Sequence, residues 1–149
     1  NGQGIGTTKA PMSSWRVSAG EKKGIHWHLR AAKAGVRNFI SDVNFWKSFV
    51  KKHFLIPIGQ AGSLSVFNSE DLRELETFAR HLKAEVGKVA IDEVSGRKVE
   101  QWTLLPGEDN EWLDTTAGAM ALLSYCGCEC LGAENDKKIN VRKGITKAF

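Results

Sequence analysis

A mixed α/β domain, with helices packed on the faces of a sheet, is what this sequence predicts. Three observations carry the prediction. Stretches of two-residue alternation, such as "IHWHLRA" (25–31), are interspersed with stretches of helical period, such as "NSEDLRELETFARHLKAE" (68–85). The order along the chain reads strand, strand, helix, strand, helix, hairpin, helix, which places both element types in one layered core. Of the 149 residues, 42% are apolar and 26% charged, which suits one globular domain and lies outside the disordered range.

Residues 1–24 are dominated by Gly, Ser, Thr, Pro and Lys and read as a lead-in loop. The "GQGIG" within them (2–6) looks like a phosphate-binding glycine loop, but no predicted strand precedes it and no helix follows. A flexible linker is the simpler reading. In "IHWHLRA", Ile25, Trp27 and Leu29 share one strand face, and His26, His28 and Arg30 share the other. Gly35 permits a turn, and "VRNFI" (36–40) is expected as a second strand. "SDVNFWKSFVKKHF" (41–54) reads as a helix capped by Ser41 or Asp42, with Phe45, Trp46, Phe49, Val50 and Phe54 as its apolar stripe. Lys47, Lys51 and Lys52 lie largely off that stripe.

"LIPIGQAG" (55–62) is a connector and "SLSVF" (63–67) a short strand. The next helix is capped by Asn68 or Ser69, carries acids in its first turn where the helix dipole favours them, and is expected to bury Leu72, Leu75, Phe78, Ala79 and Leu82. "GKVAIDEVSGRKVEQWTLL" (87–105) reads as a β-hairpin turning at Ser95 and Gly96. "PGEDN" then leads into a last helix inside "GEDNEWLDTTAGAMALLSYCGCECLG" (107–132). Residues 132–149 are polar and basic, with no clear period, and read as a mobile tail. The folded portion is thus expected over 25–131. The opening "NGQG", without Met, reads as a piece of a longer chain.

The formal net charge of +4 permits nucleic-acid contact without requiring it. Lys22–Lys23, Lys51–Lys52, Arg97–Lys98 and the tail concentrate the positive charge. Each pair suits a DNA backbone and equally suits ordinary solvated charge. Cys126, Cys128 and Cys130 lie within one pentapeptide and have no distant partner, which argues against a secreted disulfide framework and for a reducing compartment. A structural zinc site needs four ligands, and on a helix Cys128 points away from the other two, so the three are expected to be buried as small hydrophobes. The pair His26-x-His28 suits a metal, but a solvated strand face is simpler. His53 and His81, set among Lys and Arg, are expected at the surface. The start is too polar for a signal peptide, and no run reaches the roughly 18 apolar residues of a membrane span, so no membrane partner is expected.

The last helix holds the sharpest question. Glu108, Asp109, Glu111 and Asp114 surround its N-terminus. The helix dipole stabilises such acids by about 0.3–1 kcal/mol each, which accounts for the first three. With Asn110 as cap, Asp114 lies just past the first turn, beside a lane of small residues (Ala117, Gly118, Ala121), on a helix that reads as apolar nearly all round and therefore buried. A buried carboxylate must be hydrogen-bonded, paired with a base or bound to a metal.

"NEWLDTTAGAMALLSY" resembles the segment near the end of lambda-type phage terminase large subunits, where an Asn-Glu-x-x-Asp motif opens a late, Ala-rich helix. Further segments resemble that family in the same order: "DVNFWKSFV" its Asp-x-Asn-x-x-Lys segment, "GQAGSLSVF" its Gly-rich turn and strand, "FARHLKAE" its helix ending in Leu-x-x-Glu, and "RKVEQWTLLPGEDNE" its strand, Trp and Gly before the motif. The resemblance covers most of 24–131. It implies a ribonuclease-H-like nuclease domain, N-terminally truncated, from the motor that packages viral DNA in the host cytoplasm. It implies two divalent ions, Mg²⁺ or Mn²⁺, held by an acidic cluster whose last member matches Asp114, and cleavage of concatemeric double-stranded DNA. A terminase small subunit and the portal or procapsid would be partners. Lys47 matches a family lysine and is a candidate phosphate contact; Lys51, Lys52, Arg97 and Lys98 are further DNA-contact candidates. The family's other catalytic acids precede the segment that matches Asn1, Asp42 is not assigned to the metals, and no P-loop is found. This chain alone is therefore expected neither to pump nor to cut DNA. The alternative is a non-catalytic module that docks DNA or the portal.

Overall fold

The computed structural model describes residues 2–66 and 69–129. In chain order the elements are β1 (Gly2–Gln3), a 3-10 turn (Met12–Ser14), β2 (Lys22–Gly24), β3 (Trp27–Leu29), β4 (Phe39–Asp42), α1 (Val43–Phe54), α2 (Leu72–Lys83), β5 (Glu85–Ile91), β6 (Lys98–Leu104) and α3 (Glu111–Tyr125). The expected mixed α/β class holds. A four-stranded mixed sheet has the order β1-β4-β3-β2, with β1 parallel to β4 and the other pairs antiparallel, and β5 and β6 form a separate hairpin.

The alternation in 25–31 is real but shorter than expected. Gly24 pairs with Trp27, so Ile25 and His26 form the turn of a two-residue hairpin, and His26 takes a left-handed φ of 50°. Trp27 and Leu29 point toward α1 and α3, while His28 points to the opposite face beside the Trp15 ring. All three strand residues are buried, because the lead-in covers the second face. There Ile5 and Met12 pack with Ile40, and Trp15 closes the cluster. Residues 2–24 therefore supply two strands and a small core rather than a linker. Gly2 and Gln3 pair with Ser41 and Asp42. The second strand sits three residues later than expected, because Ala34 and Gly35, both with positive φ, turn the chain and bring Val36 back to Lys33.

Helix α1 begins as expected, with the Asp42 carboxylate accepting from Asn44 N–H at 3.2 Å. Trp46, Phe49 and Val50 meet Trp27, Leu29, Leu113, Ala117 and Ala121 in the main core. The short strand expected at 63–67 does not form over 63–66; this stretch is a loop pinned to the end of α1 by Leu64 N–H on the His53 carbonyl and by His53 Nδ1 at the Gly62 carbonyl. Phe67 and Asn68 lie outside the described residues. Asp71 caps α2, its carboxylate accepting from Arg73 N–H at 2.9 Å. The α2 stripe is only half-buried: Leu72 and Ala79 are exposed, and His81 is the helix's buried residue.

The β5–β6 hairpin turns through 92–97 rather than through two residues. The Asp92 carboxylate accepts from Val94 N–H and Ser95 O–H, and Gly96 takes a φ of 68°. In α3 only Leu113, Ala117 and Ala121 are buried. The expected all-round burial is not found, since Trp112, Leu122, Leu123 and Tyr125 are substantially exposed. The small lane is what lets α1 approach. The helix ends on Gly127, whose φ of 87° allows its N–H to reach the Ser124 carbonyl and Cys128 N–H to reach that of Leu123. Cys126 and Cys128 lie in this exposed end, not in a core, and Cys130 is outside the described residues. Among the described residues, no helix is long and apolar enough to cross a membrane.

Candidate functional site

Asp114 sits in the first turn of α3 with its side chain 52% exposed, which corrects the expectation of burial. Of the three fates open to such a carboxylate, pairing with a base is the one observed. Lys47 Nζ lies 2.5 Å from Asp114 Oδ1 and also 2.5 Å from Glu85 Oε1. Lys47 extends from the middle of α1 and is only 8% exposed; Glu85, the first residue of β5, is 4% exposed. Asn110, the residue before α3, donates from Nδ2 to Asp114 Oδ2 at 3.2 Å and to Glu85 Oε1. Four side chains from α1, β5 and the head of α3 thus close a ring of two anions, one cation and one amide. Glu85 Oε2 is buried and makes no hydrogen bond.

The order of elements explains the ring. Ala84 ends α2 and is itself buried, so Glu85 turns inward as β5 begins. Leu105 N–H donates to the Ala84 carbonyl at 2.8 Å, which keeps the chain leading to Asn110 against the same spot. The Asn110 side chain gives no cap to α3. Instead His81, from α2, accepts from Trp112 N–H at 3.5 Å. His81 and His53 are therefore both buried partners of backbone rather than surface residues, and Phe49 stacks on His53 at 3.9 Å.

Lys51 lies one turn along α1 from Lys47. Its Nζ donates to the Glu85 backbone carbonyl at 2.6 Å and lies 4.3 Å from the Trp102 ring centre. Burial pulls its pKa down, against the carboxylates of Glu85 and Glu100, which raise it. Arg97 is tied to the lead-in, donating to the Lys9 and Gly6 carbonyls. Lys52 and Lys98 extend into solvent. The structure therefore joins Lys47 to Asp114, sets Lys51 beside the ring on the Glu85 backbone carbonyl, and leaves Lys52, Arg97 and Lys98 away from it.

The two histidines expected on one strand face separate, since His26 lies in the turn and His28 on β3. His26 Nδ1 stands 3.3 Å from Asp42 Oδ2 and its ring stacks on Phe45 at 3.7 Å, while His28 Nε2 stands 3.3 Å from Glu21 Oε2. The Asp42 carboxylate also accepts from Ile5 N–H, so it serves as a cap and a tether for the lead-in. The Ser18 N–H that bonds Glu21 is the chief reason its carboxyl lies below the usual range, with His28 and Arg30 adding to the effect and burial opposing it. Among the described residues no group of three His, Cys, Asp or Glu side chains is arranged to hold a metal.

Glu85 enters the sequence reading only as the end of the Leu-x-x-Glu segment and Asn110 only as a cap, and neither is assigned there to a site with Asp114. A Glu between a helix and a strand looks like ordinary end-of-helix charge, and only the buried Ala84 beside it hints at its direction. The fold and the ring define a mixed α/β domain with a carboxylate–lysine centre at the mouth of its last helix. No known protein family, curated protein or solved structure matches this chain.

Proposed function

We propose that this chain is the C-terminal part of a ribonuclease-H-like nuclease domain from a lambda-type phage terminase large subunit, with Asp114 as a carboxylate ligand for Mg²⁺ or Mn²⁺. The observation that carries the reading is the meeting of Lys47 and Asp114 at 2.5 Å. The family resemblance marks these two residues in separate segments, and the fold brings them to one point. Asp114 is half open, as a carboxylate that must reach a phosphodiester needs to be. Gly118, one turn further along α3, has open space where a side chain would stand, which leaves room for a bulky ligand beside Asp114.

Carboxylate oxygen suits a hard cation, and two carboxylates meet at Lys47, one of them with an unpartnered buried oxygen. When bound, Mg²⁺ or Mn²⁺ activates water and offsets charge on the phosphate. In this reading Asn110 orients Asp114, Lys47 supplies a fixed positive charge near the scissile phosphate, and Lys51, Lys52, Arg97 and Lys98 are candidate contacts to double-stranded DNA. The remaining catalytic acids, the ATPase, the terminase small subunit and the portal or procapsid belong to the intact assembly in the host cytoplasm.

The test is cleavage by a longer chain that carries upstream acids. There Asp114→Asn is expected to reduce Mg²⁺- or Mn²⁺-dependent DNA cutting by at least about a hundredfold, while circular dichroism stays unchanged. Full activity in Asp114→Asn would overturn the assignment. A second reading, a DNA- or portal-docking module without chemistry, is favoured by the fact that Lys47 already neutralises Asp114. It predicts salt-sensitive DNA retention that Asp114→Asn leaves intact, with no cutting in any longer chain.

A further inference from the structure

The β5–β6 hairpin has one engaged edge and one open edge. Leu105 N–H bonds the Ala84 carbonyl at 2.8 Å and Asp92 N–H bonds that of Arg97 at 2.9 Å, at the two ends of a ladder with no break in register. The even-numbered residues of β5 therefore bond to β6, and the backbone groups of Glu85, Gly87, Val89 and Ile91 point away from it. On β6, Trp102 N–H donates outward to Asn44 Oδ1 at 3.4 Å, and Arg97 holds the lead-in. On β5, the Glu85 carbonyl accepts from Lys51 Nζ at 2.6 Å. Among the described residues, no hydrogen bond reaches the outward backbone of Gly87, Val89 or Ile91.

We infer that this open edge is a self-association surface: two copies of the chain pair β5 with β5, antiparallel, about a two-fold axis at Ala90, and join their two-stranded hairpins into one sheet. An open edge is a template for a further strand, and natural edges are blunted by Pro, by bulges or by charge. β5 has no Pro and no bulge, and Lys88 is the one charged residue over 86–91. Val89 and Ile91 are 64% and 57% exposed, on the face where the Trp102 ring lies close over Gly87.

Register and charge identify the occupant as a second copy. Pairing through the outward backbone puts odd-numbered residues in hydrogen-bonded pairs and even-numbered ones in the closer, non-hydrogen-bonded pairs. With the axis at Lys88, two ammonium groups face each other. With the axis at Val89, Lys88 faces Ala90 and gains no partner. With the axis at Ala90, Lys88 of each copy faces Asp92 of the other, and Val89 faces Ile91. Opposite charges and apolar side chains set directly across a sheet attract, and like charges repel. Asp92 carries its charge, because hydrogen bonds from Ser95 O–H and Val94 N–H hold its carboxyl below the usual range. The charge that blunts the edge toward other strands thus finds its counter-charge on the same edge of a second copy. The contact is small, so the dimer is a reversible one.

The test is sedimentation of this chain over a concentration series, which is expected to show a monomer–dimer equilibrium with a Kd below about 1 mM. Val89→Pro removes an N–H that β6 does not use, and is expected to weaken the dimer at least about tenfold while circular dichroism stays unchanged. Lys88→Glu sets like charges across the pair and is expected to weaken it at least about tenfold as well. The axis is read by crosslinking with oxidised glutathione, in a background of Cys126→Ser, Cys128→Ser and Cys130→Ser. There Ala90→Cys, opposite itself, is expected to give a disulfide-linked dimer much faster than Lys88→Cys. If Val89→Pro does not fold, Lys88→Glu decides. A chain that stays monomeric up to about 1 mM overturns the inference. So does a dimer that is equally tight in Lys88→Glu, since its contact lies elsewhere. Faster crosslinking through Lys88→Cys than through Ala90→Cys moves the axis and overturns it too.

Discussion

Glu21 shows how much a single side chain organises on the far side of the sheet. Its carboxylate accepts from Ser18 N–H at 3.0 Å, stands 3.3 Å from the buried His28 and lies 3.5 Å from Arg30. These contacts favour the charged form, so its folded-state pKa lies below the unfolded one. Stability from this group is therefore complete above the unfolded carboxylate range and is lost as pH falls toward the folded value. Glu21→Gln is expected to flatten the acid limb of a thermal-melt series run from about pH 6 to pH 3, while changing little of its slope above that window. An acid limb identical to wild type would show that the Ser18 bond does not hold in solution. Lys47 poses the opposite problem at the same scale. A buried ammonium is tolerable only because Glu85 and Asp114 surround it, and removing one partner of such a set typically costs about 3–5 kcal/mol.

At the scale of elements, caps and small residues decide where helices stop and how closely they pack. Helix α3 closes on Gly127 with a φ of 87°, a conformation that L side chains rarely adopt, with open space around the position. Gly127→Ala therefore meets no clash and tests backbone conformation alone. It is expected to destabilise the chain by about 1 kcal/mol, read by urea unfolding, and a neutral result would mean that the helix end already frays. The same helix shows why its amphipathicity was hard to read. Its composition is apolar on nearly every face, yet only the Leu113, Ala117 and Ala121 edge meets α1. Which edge is buried depends on the partner, and the partner is far away in sequence. The β2–β3 hairpin is similar: the alternation of Trp27, His28 and Leu29 was legible, but the turn at Ile25 and His26 was not, because it comes from pairing with Lys22–Gly24.

At the scale of the whole molecule, one cluster joins β3, α1 and α3; α2 packs on it through Leu82 and through Phe78 between Phe54 and Trp112, while β6 attaches through polar contacts. Trp102 N–H on the indole donates to Ser48 Oγ at 2.9 Å, and Ser48 donates to Glu100 at 2.6 Å. Leu113 is wholly buried at the centre of the cluster. Leu113→Ala is expected to cost about 2–5 kcal/mol, from lost apolar burial plus the cavity left behind. Chemical denaturation should show this as a lower midpoint with unchanged slope. A change in slope would instead mean that the cluster and the β5–β6 hairpin unfold separately.

Local pattern was enough to place the three helices, a cap at Ser41 or Asp42 and the hairpin near Ser95 and Gly96, whereas Asp114, expected just past the first turn of α3, lies within it beside Glu111. Helical period, caps and turn residues act over a few positions, so their signal is written contiguously. Tertiary structure alone decided the rest. It placed Gly2 and Gln3 in the sheet through a parallel pairing with β4 and Lys22–Gly24 through an antiparallel one with β3, buried His53 and His81 against backbone, and left Cys126 and Cys128 exposed. It also turned Glu85 inward to share Lys47 with Asp114. Each of these depends on what a distant segment covers or leaves open, and burial, unlike periodicity, is a property of the partner as much as of the residue.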